Sequence, residues 1–189
     1  MPFLILVKHS LPEIDPNVPA PVWRLSAEGR QRCIPLAKAL AVYHPDIVYT
    51  SREPKAIETG QAVADQLGLP CMPADDLHEH SRLTVAFASQ QEFEINVAHF
   101  FAQPERLVLG EETAAQAAIR FTHAVNRLTA RHPQETLIMI SHGTVISLFY
   151  QSILGKDPYP LWEKLGLPAY LIFNLPEFSL TEVQLQLGI

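Results

Sequence analysis

Phe3-Leu4-Ile5-Leu6-Val7-Lys8-His9-Ser10 is the stretch on which the fold turns. An unbroken apolar run stops abruptly at a cation, an imidazole and a hydroxyl. A short run of this kind, with no polar alternation, reads as a strand buried on both faces, and such strands form the middle of parallel sheets. In open α/β sheets ligands bind just beyond the carboxyl ends of the strands, which is where Lys8, His9 and Ser10 fall. Thr136-Leu137-Ile138-Met139-Ile140 is a second such run, and it ends in Ser141-His142-Gly143. Two buried strands that each deliver a histidine at the carboxyl end predict two imidazoles along one edge of the sheet, facing each other. Packing alone gives no reason for that.

Between the two runs the chain alternates. Leu11 to Val22 carries Pro12, Pro16, Pro19 and Pro21, which fix φ and cannot continue a strand or helix, so it reads as a stiff loop. Ser26 reads as an N-cap, with Gly29 an odd but tolerable first-turn residue. Ile34, Ala37, Leu40 and Ala41 at helical spacing give a first helix, which His44-Pro45-Asp46 stops. Ile47 to Ser51 is a second strand. Lys55 to Leu67 is a second helix, with Ile57, Val63, Ala64 and Leu67 as its buried face and Gly68 as its terminator. Cys71-Met72-Pro73 is a short third strand. This β-α-β-α-β alternation predicts a parallel sheet with right-handed crossovers.

Residues 75–109 are the least regular, with helical spacing only from Gln90 to Ala102. Phe87, Phe93, Phe100 and Phe101 read as aromatics buried on the core, and the segment is a candidate cap or pocket wall. Gly110-Glu111-Glu112 opens a long helix to about Arg131. A further helix runs from Ser141-His142-Gly143 to Leu154, and Pro158, Pro160 and Pro168 mark a loop. Residues 169–174 and 179–185 alternate around a short link and read as an antiparallel hairpin at a sheet edge. The expected architecture is a single 1–189 α/β domain. It is a three-layer α/β/α sandwich with a mostly parallel central sheet and an antiparallel C-terminal edge hairpin.

Bulk properties narrow the function. The chain has 189 residues, 48% hydrophobic and 18% charged, with a net charge of −6. That describes an ordinary soluble globule and disfavours nucleic acid or an anionic membrane surface as partner. Cys33 and Cys71 show no metal spacing and read as reduced residues. The N-terminal apolar run is too short for a signal peptide or a membrane span, so a cytoplasmic location is expected. Without a Gly-rich loop after the first strand, nucleotide binding of the usual kind is not indicated.

Several segments, in order, resemble the histidine phosphatase superfamily, the phosphoglycerate-mutase-like proteins. Lys8-His9-Ser10 resembles the family's Arg-His-Gly. Trp23-Arg24-Leu25-Ser26-Ala27-Glu28-Gly29 resembles its Trp-x-Leu-Thr-x-x-Gly. Tyr49-Thr50-Ser51 with Lys55-Ala56-Ile57-Glu58-Thr59 resembles its Ser-Ser and Arg-Ala-x-x-Thr segments. Leu77-His78-Glu79 and Ser141-His142-Gly143 match its Leu-x-Glu and Ser-His-Gly.

The resemblance implies a metal-independent phosphatase, with no cofactor, acting on a small phosphorylated substrate. Its short length beside the family's mutases favours phosphatase over mutase. His9 would be the nucleophile that becomes a phosphohistidine, and its neutral ring must present a lone pair while an acceptor holds the other N–H. His142 would stabilise the transferring phosphoryl group, aided by the N-terminus of the helix it opens. Glu79 would be the general acid, with a pKa raised by the neighbouring phosphate dianion. Lys8 and Lys55 would clamp the phosphate where the family uses arginine, trading a planar bidentate fork for a point charge. Arg52, one turn before Lys55, could restore a guanidinium or be a solvated surface charge. Arg24 is a further contributor or a surface residue. Ser10 replaces glycine and could donate to phosphate or crowd the site. His78 and His80 flank Glu79 too sparsely for a metal set. The departures at Lys8, Ser10 and Lys55 carry a second reading, a catalytically weakened member that binds a phosphorylated ligand or a partner.

Overall fold

The computed structural model describes residues 1–187. Six strands form one sheet in the order β3-β2-β4-β1-β5-β6. They are β1 (Phe3–Lys8), β2 (Ile47–Thr50), β3 (Cys71–Pro73), β4 (Leu137–Ser141), β5 (Ala169–Asn174) and β6 (Ser179–Gln184). β1, β2, β3 and β4 pair in parallel, and β5 and β6 add antiparallel. The apolar runs of β1 and β4 occupy the two central positions, where both faces of a strand are covered. Leu4 and Leu6 face one core cluster, and Ile5 and Val7 face the other.

The helices complete three layers. α1 (Ala27–Leu40) and α2 (Pro54–Leu67) pack on the Ile5/Val7 face through Leu36, Ala37, Leu40, Ala56, Val63 and Ala64. α3 (Gln90–Ala102), α4 (Ala114–Arg131), α5 (Gly143–Leu154) and α6 (Tyr159–Lys164) cover the other face. Phe100, Phe121, Phe149 and Phe173 are fully buried there. Each is an aromatic side chain of the kind that dominates core energetics. Among the described residues no helix is long and apolar enough to cross a membrane.

Several expectations need correction. Ile34 is 55% exposed and Ile57 37% exposed, so the buried stripes of α1 and α2 are rotated, to Cys33/Leu36/Ala37/Leu40 and Ala56/Thr59/Gly60/Val63/Ala64. α4 begins at Ala114 rather than near Gly110, because Thr113 and Gln116 form a reciprocal capping box. That leaves Glu111 and Glu112 outside the helix and free for other work. The proline-marked stretch after α5 contains α6, with Pro160 in its first turn, where a missing N–H costs nothing. Phe100 and Phe101 join the core and Phe93 packs against it, but Phe87 is 57% exposed.

Gly29 has a definite reason. A Cβ there would lie 2.0 Å from the Leu11 carbonyl oxygen. The first turn of α1 therefore lies against the loop that leaves β1. Ser26, the N-cap, receives the Gly29 N–H at 2.9 Å, and its own backbone N–H bonds the Leu11 carbonyl at 3.1 Å. The Trp23–Gly29 segment thus holds down the chain immediately after His9.

Candidate active site

The parallel register of β1 and β4 sets Lys8 opposite Ser141. The His9 backbone N–H extends the ladder by one bond, 3.0 Å to the Ser141 carbonyl. His9 and His142 therefore leave adjacent strands at the same level. Their rings meet edge-on, with centroids 5.2 Å apart, and both are buried. His9 Nδ1 lies 2.8 Å from the Ser10 carbonyl oxygen. A carbonyl can only accept, so Nδ1 carries the proton and Nε2 presents its lone pair. Burial first, then His142 and Lys55, holds the His9 ring well below the usual histidine pKa, and neutral.

His142 Nε2 lies 2.9 Å from Ser51 Oγ and 3.2 Å from Glu53 Oε1, while its Nδ1 is buried without a hydrogen-bond partner. Burial, followed by the field of Lys55, holds this ring too well below its ordinary value.

Glu53 is a residue that the sequence reading missed. Its Oε2 lies 2.5 Å from Lys55 Nζ, and its Oε1 accepts the Glu79 backbone N–H at 3.0 Å. A cation, an imidazole and a peptide N–H thus converge on one carboxylate. Lys55 also donates to the Ala20 carbonyl at 2.8 Å. Lys8 runs beside Gly143, and its ammonium donates to the Leu165 carbonyl at 2.7 Å. Burial lowers Lys8 to about 8, opposed in part by Glu79.

Glu79 sits at the start of α5, where its two oxygens accept the Thr144 and Val145 backbone N–H groups at 3.2 and 3.3 Å. The anion site that the helix N-terminus offers is therefore taken by a side chain of the protein itself. Burial would raise the Glu79 carboxyl. Hydrogen bonding to His80 and the charges of His80, His142 and Arg82 outweigh it and hold the group well below the usual carboxylate range. The group is thus held as an anion.

Arg120 fixes the loop that carries Glu79. It donates to the carbonyls of Asp76, His78 and Glu79 at 2.9 to 3.1 Å and forms a bidentate pair with Glu112. Arg120→Met leaves three carbonyls and a largely buried carboxylate without their donor. It is expected to destabilise the fold by about 3 kcal/mol, read from the urea midpoint. A shift below about 1 kcal/mol would mean that the loop is held by other contacts.

Two of the candidate phosphate ligands make other contacts in this structure. Arg52 is 63% exposed on the side chain and pairs with Asp75 at 2.6 Å, which matches the surface-charge alternative. Ser10 donates its hydroxyl to the Gly29 carbonyl at 2.7 Å, and its backbone N–H bonds Thr59 Oγ1. Both bonds hold the loop that leaves β1. Arg24 pairs with Glu58 at the surface. Arg82 lies over the Phe93 ring at 4.5 Å. Among the described residues no three His, Cys, Asp or Glu side chains cluster as a metal site.

Comparison with known proteins gives a consistent picture. A family model described as the histidine phosphatase superfamily (branch 1) matches residues 18–176, starting downstream of Lys8-His9-Ser10. Phosphoserine phosphatase 1 of Hydrogenobacter thermophilus is 22% identical over 174 residues, covering 84% of this chain and 79% of that protein. The solved phosphoserine phosphatase of Entamoeba histolytica in complex with 3-phosphoglyceric acid superposes with a TM-score of 0.78 at 20% identity, covering 97% of each chain. A mycobacterial glucosyl-3-phosphoglycerate phosphatase with inorganic phosphate gives 0.75 at 17%, covering 97% of this chain and 96% of that one.

Proposed function

This chain belongs to the histidine phosphatase superfamily, branch 1, and we propose that it hydrolyses a small phosphate monoester through a phosphohistidine on His9. The observation that carries this reading is the His9 ring itself. It is neutral, has Nδ1 bonded to a carbonyl, and lies beside a second buried imidazole. His9 Nε2 attacks phosphorus, the P–O bond to the alcohol breaks, and the oxygen leaves with a proton from Glu79. Water then attacks the phosphohistidine, with Glu79 taking its proton. The bound dianion raises the Glu79 pKa for the first step, by like-charge repulsion, and the carboxylate left after that proton is given up is the base of the second. His142 stabilises the phosphoryl oxygens and Lys8 supplies charge beside the start of α5. None of these residues calls for a metal.

The relatives whose names concern phosphoserine and glucosyl-3-phosphoglycerate support a phosphorylated small acid as substrate class. A panel of p-nitrophenyl phosphate, phosphoserine and 3-phosphoglycerate in chelator tests both points. Turnover is expected to survive the chelator and to favour the acids. Glu53 favours a second reading, because its carboxylate engages Lys55 and His142. A folded chain that is silent on the panel yet binds inorganic phosphate would be a weakened, phosphate-binding member.

The Lys8 ammonium makes a pH prediction. A lysine at about 8 is charged below that pH and loses its charge above it. kcat/KM, which reports the free enzyme, is expected to fall about tenfold between roughly pH 7 and 9. Lys8→Arg stays charged throughout and should remove this alkaline limb. A limb of the same position in the variant would assign it to another group.

A further inference from the structure

The proposed phosphatase needs donors for the phosphoryl oxygens, and most of those near His9 are already engaged. Lys55 is engaged by Glu53 and Ala20, Lys8 by the Leu165 carbonyl, and the first free amides of α5 by Glu79. Ser10 and Arg52 face Gly29 and Asp75. Among the described residues the Arg82 guanidinium has neither a hydrogen bond nor an ion pair, and it lies over the Phe93 ring at 4.5 Å. Stacking fixes the plane of a guanidinium and leaves its edge N–H groups free to bond.

The backbone under Arg82 is held tightly. Ser81 N–H donates to Glu112 at 2.8 Å, and the Leu83 and Thr84 N–H groups donate to Glu111 at 2.8 Å each. Ser81 Oγ also donates to Glu111 at 2.8 Å. Gly110 packs so closely on this turn that a Cβ there would lie 2.1 Å from the Ser81 carbonyl oxygen. Two carboxylates and a glycine thus fix a turn whose central side chain is an unpaired, half-buried arginine. Glu112, which accepts the Ser81 N–H, also pairs with Arg120, and Arg120 donates to the Glu79 carbonyl, so the turn that carries Arg82 is bonded to the loop that delivers Glu79.

Resting on the phosphatase reading above, we propose that Arg82 binds the substrate's phosphoryl oxygens and supplies, from the pinned 81–84 turn, the planar fork that Lys8 and Lys55 lack. A lysine-clamped site thereby regains bidentate control from a different element. The stack on Phe93 presents the fork preorganised.

The test uses the full chain with p-nitrophenyl phosphate as substrate, inorganic phosphate as competitive inhibitor, and calorimetry of inorganic phosphate alone. Arg82→Gln is expected to lower kcat/KM and weaken phosphate binding by roughly 10- to 100-fold, and Arg82→Lys to recover only part of it. Melting temperatures control for folding, and Arg82→Lys keeps the charge if Arg82→Gln does not fold. Changes of less than twofold in both kcat/KM and phosphate affinity would overturn the assignment while leaving wild-type turnover, and the phosphatase reading, intact. A wild type that neither turns over nor binds phosphate would overturn both.

Discussion

His9→Ala is expected to abolish phosphate release, with kcat reduced by roughly 10⁴-fold or more. The size follows from what the substitution removes. Nε2 is an unprotonated lone pair at the end of a central strand, and no second nucleophile takes its place. His142 Nε2 is engaged by Ser51 and Glu53. The variant should fold, because the side chain's hydrogen bond is local, to the Ser10 carbonyl of the next residue. Thermal melting of the variant provides that control. A loss of less than about tenfold in a folded protein would remove His9 from the nucleophile's role.

Glu79→Gln is the second large effect, and it should depend on the leaving group. An alkyl ester needs its oxygen protonated as it departs, whereas nitrophenolate leaves unaided. kcat/KM for phosphoserine should fall roughly 10²- to 10³-fold, and for p-nitrophenyl phosphate less than tenfold. kcat/KM is the proper quantity because it stops at phosphorylation of His9, before water enters. The amide also presents an NH₂ to the Thr144 and Val145 N–H groups that the carboxylate now accepts. A stability loss of about 1–3 kcal/mol is expected beside the kinetic one. Equal losses on both esters would make Glu79 a cap for α5 and not a proton donor.

The parts of the molecule legible in the sequence were those set by local pattern. Uninterrupted apolar runs placed β1 and β4 in the sheet interior, and parallel pairing then put His9 next to His142 without further information. Ser26 and Gly68 marked helix ends because each meets a purely local backbone need. The parts that escaped depend on pairing across distance. Glu53 escaped because the groups it meets, the Glu79 N–H and His142, lie on other elements. The two alternatives for Ser10 stayed open because its acceptor, Gly29, lies on another element. Arg52 and Arg82 are indistinguishable as residues, and only the fold pairs one with Asp75 at the surface and lays the other over Phe93. Glu79 was picked from its Leu-x-Glu context, but its ionisation follows, against its burial, from the hydrogen bond to His80 and the charges of His80, His142 and Arg82, which no local pattern shows.

The most direct test is to quench the working enzyme into alkali with a radiolabelled phosphate ester and map the label. The account predicts a phosphoryl group that is stable to base, labile to acid, carried on the peptide containing His9, and absent from His9→Ala. Turnover with no phosphorylated chain at any time in a single-turnover course, or a label on another residue, would contradict it.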